Sequence, residues 1–165
     1  MPLEFFDRAV AFLMAHPAAD TDRMGIYGYS KGGELALLLA SRDARIRAVA
    51  AYSPPSSVVW QSPKGGAPKS SWTADGVPVP PFVPMHFSGM KLLKLITGRP
   101  VAFREVYEQG GLKKHPDKAE AARIPVEQIA GPVFLVSGTD DGGVWPSTVM
   151  ADAVEETLKT AGGEP

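Results

Sequence analysis

Ser30 stands in the run Gly28-Tyr29-Ser30-Lys31-Gly32-Gly33, a Gly-x-Ser-x-Gly spacing with a short apolar run before it and an apolar stretch after it. That spacing is the signature of a serine nucleophile carried on a tight strand-to-helix turn. The reason is steric: the serine takes a strained backbone conformation, and flanking glycines let neighbouring backbone pass where a Cβ would collide. The N–H of Lys31, opening the helix, points toward the serine and is placed to stabilise an oxyanion. The alternative reading is that Gly28, Gly32 and Gly33 serve only a tight turn, as in phosphate-binding loops. Neither Gly-x-Gly-x-x-Gly nor Gly-x-x-x-x-Gly-Lys-[Ser/Thr] is present here, which argues against it.

A second constellation, Ser137-Gly138-Thr139-Asp140-Asp141, runs on to Trp145-Pro146-Ser147, and Asp141 lies 111 residues after Ser30. Serine before acid is the order of a serine, acid, histidine triad in which the acid orients the imidazole. Asp141 is preferred to Asp140, which is better placed as a turn or cap residue; the alternative for both is that they only cap a loop. The general base is missing from this pattern. His16, His86 and His115 all precede Asp141. His16 reads as a cation at a helix C-terminus, His115 as a solvated residue in a polar run, and His86 as packed in a proline-rich stretch or lining a pocket.

The elements that must hold these residues follow from periodicity. Leu3, Phe6, Val10 and Leu13 mark one face of a helix ending before Pro17. Met24 to Tyr27 reads as a strand, Lys31 to Ser41 as a helix apolar on nearly all sides, and Ile46 to Tyr52 as a second strand. Residues 53–100 hold nine of the sixteen prolines and five glycines, a composition into which no sheet strand fits comfortably. Weak helices are expected over Met90 to Ile96 and around Ala102 to Gln109. Val133 to Ser137 is the clearest strand, and its apolar continuity predicts burial on both faces. A final helix from about Ser147 carries Met150, Val154 and Leu158. The order predicts an α/β fold with a mainly parallel sheet, and in such sheets functional residues lie beyond the C-terminal strand ends.

Composition excludes several classes. The chain has 165 residues, one domain's worth, with 44% apolar and 21% charged residues, as in soluble globular proteins. Lys plus Arg number 17 against 18 Asp plus Glu, so no footprint for nucleic acid or an anionic membrane is visible. With no cysteine, disulfides, thiolate metal sites and cysteine nucleophiles are all ruled out. No apolar run approaches the ~20 residues that span a bilayer, and Glu4 and Asp7 stand where a signal peptide carries positive charge.

These residues resemble a known family: the C-terminal catalytic domain shared by acyl-CoA thioester hydrolases and bile acid-CoA:amino acid N-acyltransferases, within the α/β-hydrolase superfamily. Two segments carry the resemblance. One is Arg23 to Ser41, with lysine after the nucleophile and Gly-Gly-Glu-Leu opening the helix. The other is Ile124 to Leu158, with Asp140-Asp141 followed by Trp145-Pro146-Ser147. The resemblance implies Ser30 as nucleophile, Asp141 as acid and the Lys31 N–H as oxyanion donor, acting on an acyl thioester.

In that family the histidine follows the helix after the acid, and no residue of this sequence maps onto it. The resemblance therefore implies a partial α/β-hydrolase domain over residues 1–165, truncated at both ends, with a Pro-rich cap-like insert over about 53–122. The expectation is an acyl-CoA thioesterase-like serine hydrolase without cofactor or metal, cytoplasmic, and a possible homo-oligomer. A carboxylester or dienelactone-type hydrolase and a catalytically inactive fragment are the alternatives.

Overall fold

Alternation between small or branched residues and aromatic ones sets the two faces of the central sheet. A computed structural model describes residues 1–52, 56–62, 67, 69–79, 82–139 and 146–162. Strands β1 (Gly25–Tyr29), β2 (Ala48–Tyr52) and β5 (Val133–Val136) form a parallel sheet in the order β1-β2-β5, with Ile26 beside Val49 and Val49 beside Val133. Because paired residues in a parallel sheet point the same way, Ile26, Val49 and Val133 share one face with Gly28, Ala51 and Leu135. Helix α2 (Lys31–Ala40) packs on β1 and β2, and Leu37 and Val49 are buried in the core on that side.

The opposite face departs from the expectation of two-sided burial. Tyr27, Tyr29 and Phe134 are 64%, 65% and 58% exposed, and Tyr52 bridges them through edge-on contacts to Tyr27 and Phe134. Among the described residues no helix covers these rings. The apolar run of β5 thus reflects aromatic pairing along an open face rather than burial on both sides.

Helix α1 (Glu4–Ala15) keeps only part of its predicted stripe. Leu3 is buried at its start and Phe6 and Val10 pack against the core, but Leu13 is 45% exposed because the helix runs past the edge of what it covers. Helix α6 (Ser147–Thr160) turns Met150 and Val154 fully inward, with Leu158 partly buried beside the core. No helix among the described residues is long and apolar enough to cross a membrane.

The proline-rich stretch enters and leaves at one place: Ile124 N–H donates to Ser57 O at 2.9 Å and Val59 N–H to Ala122 O at 2.9 Å. Contrary to expectation it does contain strands, though none joins the main sheet. Thr73–Ala74 (β3) and Val77–Pro78 (β4) form a two-stranded hairpin. Its turn is Asp75-Gly76, both at positive φ (51° and 75°), the pair a tight hairpin turn favours. Helices α3 (Gly89–Ile96), α4 (Phe103–Tyr107, running into a wider turn over Glu108–Leu112) and α5 (Pro116–Ala121) follow. A second core forms here from Val58, Trp60, Val83, Tyr107, Ala122 and Met150.

Tyr107 lies edge-on to Trp60, ring centroids 4.8 Å apart, and burial with the nearby Glu34 charge pushes its phenol up to about 12. A group whose folded pKa is raised supports the fold below its unfolded value, near 10, and that support is lost as pH rises toward 12. Alkaline chemical denaturation should therefore show wild type losing on the order of 2 kcal/mol more stability between pH 10 and 12 than Tyr107→Phe. Parallel pH dependences for the two proteins would contradict this placement of Tyr107.

Candidate functional site

β1 ends and α2 begins without an intervening loop, and Ser30 absorbs the change of direction. Its φ is 54° and ψ −122°, a conformation rare for any residue with a Cβ. The turn is held by Ser30 N–H donating to Tyr52 O at 3.0 Å and Gly33 N–H donating to Ser30 O at 2.8 Å. Although Ser30 occupies the cap position of α2, its hydroxyl makes no capping hydrogen bond to the helix. The Lys31 N–H beside it belongs to the first four of the helix, which lie outside the i to i−4 ladder.

The two flanking glycines do different things. A Cβ at Gly28 would lie 1.9 Å from Gly32 O and 2.7 Å from Gly33 N, so strand and helix backbone cross where only glycine fits. A Cβ at Gly32 would meet nothing within 4 Å, so the crowding argument does not extend to that position. Gly33 is buried within the first turn of α2.

Asp140 and Asp141 lie outside the described residues. Their flanks are fixed: the Ser147 hydroxyl donates to Gly138 O at 3.3 Å and accepts from Gly138 N–H at 3.4 Å, tying the end of β5 to the start of α6. Since β1, β2 and β5 run parallel, Ser30 and the Ser137–Thr139 segment sit at the same sheet edge with one strand between them, about 10 Å apart at usual strand spacing.

The three histidines are spread over other surfaces. His16 closes α1, where its Nδ1 accepts from Ala18 N–H at 3.2 Å. His86 is exposed rather than packed. His115 precedes α5 and is half-buried rather than fully solvated. Desolvation, Lys118 and Lys114 hold its imidazole below the usual range. Among the described residues no hydrogen bond joins any of them to Ser30.

Behind the turn lies a buried polar knot that sequence patterns did not single out. Glu34, fully buried, takes both carboxylate oxygens to Lys31 Nζ at 2.7 and 2.6 Å, accepts Trp72 Nε1–H at 2.6 Å, and accepts Trp60 N–H at 3.3 Å. Lys31 Nζ also stands 5.6 Å from the centroid of the Trp72 ring. Burial pushes the Glu34 carboxyl up and the Lys31 ammonium down, and each partner's charge opposes the shift of the other. The charges are thus mutually dependent: neither is tolerable in this interior without its partner. The available signal was a Lys-x-x-Glu spacing at the start of an otherwise apolar helix. Beside the knot, Lys31 forms part of an open pocket of about 500 Å³ with Ser62, Lys69, Ser70, Ser71 and Trp72.

The asymmetry of the glycines is testable by thermal denaturation. Gly28→Ala must displace backbone and is expected to cost at least about 3 kcal/mol, whereas Gly32→Ala is expected to stay within about 1 kcal/mol of wild type. Equal effects at the two positions would refute the crossing described here.

Comparison with known proteins bears on this geometry. Residues 1–164 match the family model described as BAAT / Acyl-CoA thioester hydrolase C terminal. The chain is 25% identical over 171 residues to acyl-coenzyme A thioesterase 6 of Homo sapiens, covering 98% of this chain and 34% of that protein. Over 39 residues, 24% of the chain and 9% of each relative, it is 46% identical to acyl-coenzyme A thioesterase 3 of Mus musculus and 49% identical to acyl-coenzyme A thioesterase 1 of Homo sapiens. The chain therefore spans about a third of the length of thioesterase 6. With a match over nearly its whole length and a parallel α/β sheet carrying the serine turn, the chain belongs to the BAAT / acyl-CoA thioester hydrolase C-terminal family.

Proposed function

We propose that this chain carries the nucleophile of a serine hydrolase acting on acyl thioesters of the acyl-CoA class. The observation that carries the reading is the conformation of Ser30: a hydroxyl on a strained positive-φ turn, not spent on capping the helix it precedes. A strained residue held by its surroundings points to a functional site. The thioester class is supported by the names of the relatives, which are acyl-coenzyme A thioesterases.

In the proposed reaction, in the protein that supplies the histidine base, the Ser30 Oγ attacks the thioester carbonyl carbon while its proton passes to that histidine. The Lys31 N–H holds the oxyanion, the C–S bond breaks, and the thiolate leaves with a proton. Water then attacks the acyl-serine ester and releases the acid. Asp141 is proposed to orient the base, a role not assigned to any acceptor among the described residues. The base itself is not assigned to His16, His86 or His115. Residues 1–165 are proposed to form one hydrolase-type unit, with the stretch of about 53–122 as a cap over the strand ends; the pairing of Ser57 with Ile124 and of Val59 with Ala122 supports that boundary.

The test is release of free thiol from acyl-CoA, with fluorophosphonate labelling in parallel. In the protein that supplies the base, wild type should hydrolyse acyl-CoA and take up the probe, and Ser30→Ala should lose at least about 10³-fold in rate and all labelling. Hydrolysis of p-nitrophenyl esters alone would replace the thioester reading with an oxygen-ester one, and activity unchanged in Ser30→Ala would end the proposal.

A further inference from the structure

We propose that Glu34 is a positioning residue for the nucleophile turn, locking Ser30 and Lys31 to the proline-rich insert so that turn and insert behave as one mechanical unit. This rests on the reading of Ser30 as the nucleophile. Glu34 lies four residues after Ser30, too deep to meet a substrate at the strand ends: the side chain is fully buried. Four hydrogen bonds reach it from two directions. Two come from Lys31, the residue that follows the serine, and two come from the insert, through the Trp60 N–H and the Trp72 indole N–H.

The consequence is mechanical. A positive-φ serine costs on the order of 1–3 kcal/mol and persists only where surrounding contacts over-determine it. The bonds Ser30 N–H to Tyr52 O and Gly33 N–H to Ser30 O hold its backbone from the sheet and from the helix. The Lys31 side chain, pinned to both oxygens of Glu34, fixes the first helical position and with it the direction of the Lys31 N–H. The indole and backbone donors of the insert then fix Glu34 itself.

A structural role limited to neutralising Lys31 makes a different prediction, and two variants of the 165-residue chain separate them. Glu34→Gln removes the carboxylate and leaves a buried ammonium. Lys31→Met with Glu34→Gln removes both charges at similar volume and keeps the protein foldable if the single variant fails. If Glu34 positions the turn, amide hydrogen exchange at Ser30 and Gly33 should quicken at least tenfold in the double variant. In the protein that supplies the histidine base, Ser30-dependent acyl-CoA hydrolysis should fall at least tenfold in kcat with KM within threefold. Trp72→Phe, which deletes only the indole donor, should quicken the same two amides at least threefold.

Wild-type exchange and kcat in the double variant would overturn the proposal, since neutralisation would then be all that Glu34 does. Unchanged exchange in Trp72→Phe would overturn the coupling to the insert. Absence of Ser30-dependent hydrolysis in that protein would sink the functional reading, and the exchange measurements would then still decide for or against the mechanical one.

Discussion

The close crossing of β1 and α2 at Gly28 is the constraint on which the rest depends. Strand and helix backbone approach to a separation that no Cβ tolerates, so the chain must reverse within Ser30 itself. That reversal is taken up in the positive φ of Ser30, whose hydroxyl makes no capping bond to the helix that follows. It also aims α2 back along the sheet, where Leu37 and its neighbours bury against Val49 and Ala51. Full burial of one such leucine contributes about 1.5–3 kcal/mol, so a few of them outweigh the strain at the serine.

The proline-rich stretch is tied to this turn through polar contacts as well as through Val59 and Trp72 in the main core. A proline-rich stretch with little periodicity cannot dock by a continuous apolar face. Here it is anchored by Trp60 and Trp72, whose N–H groups converge on a carboxylate of α2. A buried ion pair is a poor source of net stability, because desolvation offsets most of the attraction. Its value is geometric: the carboxylate has an acceptor direction for each donor, so one arrangement of helix and insert satisfies it. Tyr107 and Trp60 then close the second core around the same point.

Much of this was legible in the sequence where local geometry alone decides the outcome. The Gly28-Tyr29-Ser30 turn was, because the steric demand acts between residues four apart. So were β1, β2, β5 and α6, whose periodicity reflects a face they each bury. The faults have physical causes. Leu13 follows the helical stripe but lies beyond the edge of the core, and Phe134 sits in an apolar run whose outer face carries paired aromatics on an open surface. The Asp75-Gly76 hairpin was hidden by the prolines around it, and the role of Glu34 depends on partners 26 and 38 residues away. Asp141 was read from its order after Ser30 and from the family resemblance, and it lies outside the described residues.

A nucleophilic Ser30 must pass through a covalent acyl intermediate. The experiment mixes the protein that supplies the histidine base with an acyl-CoA, quenches in acid, and reads the tryptic peptides by mass spectrometry. The acyl mass increment is expected on the peptide Met24 to Lys31, with the fragment ions placing it on Ser30. Release of thiol from the acyl-CoA with no increment on that peptide, at any quench time, would contradict it.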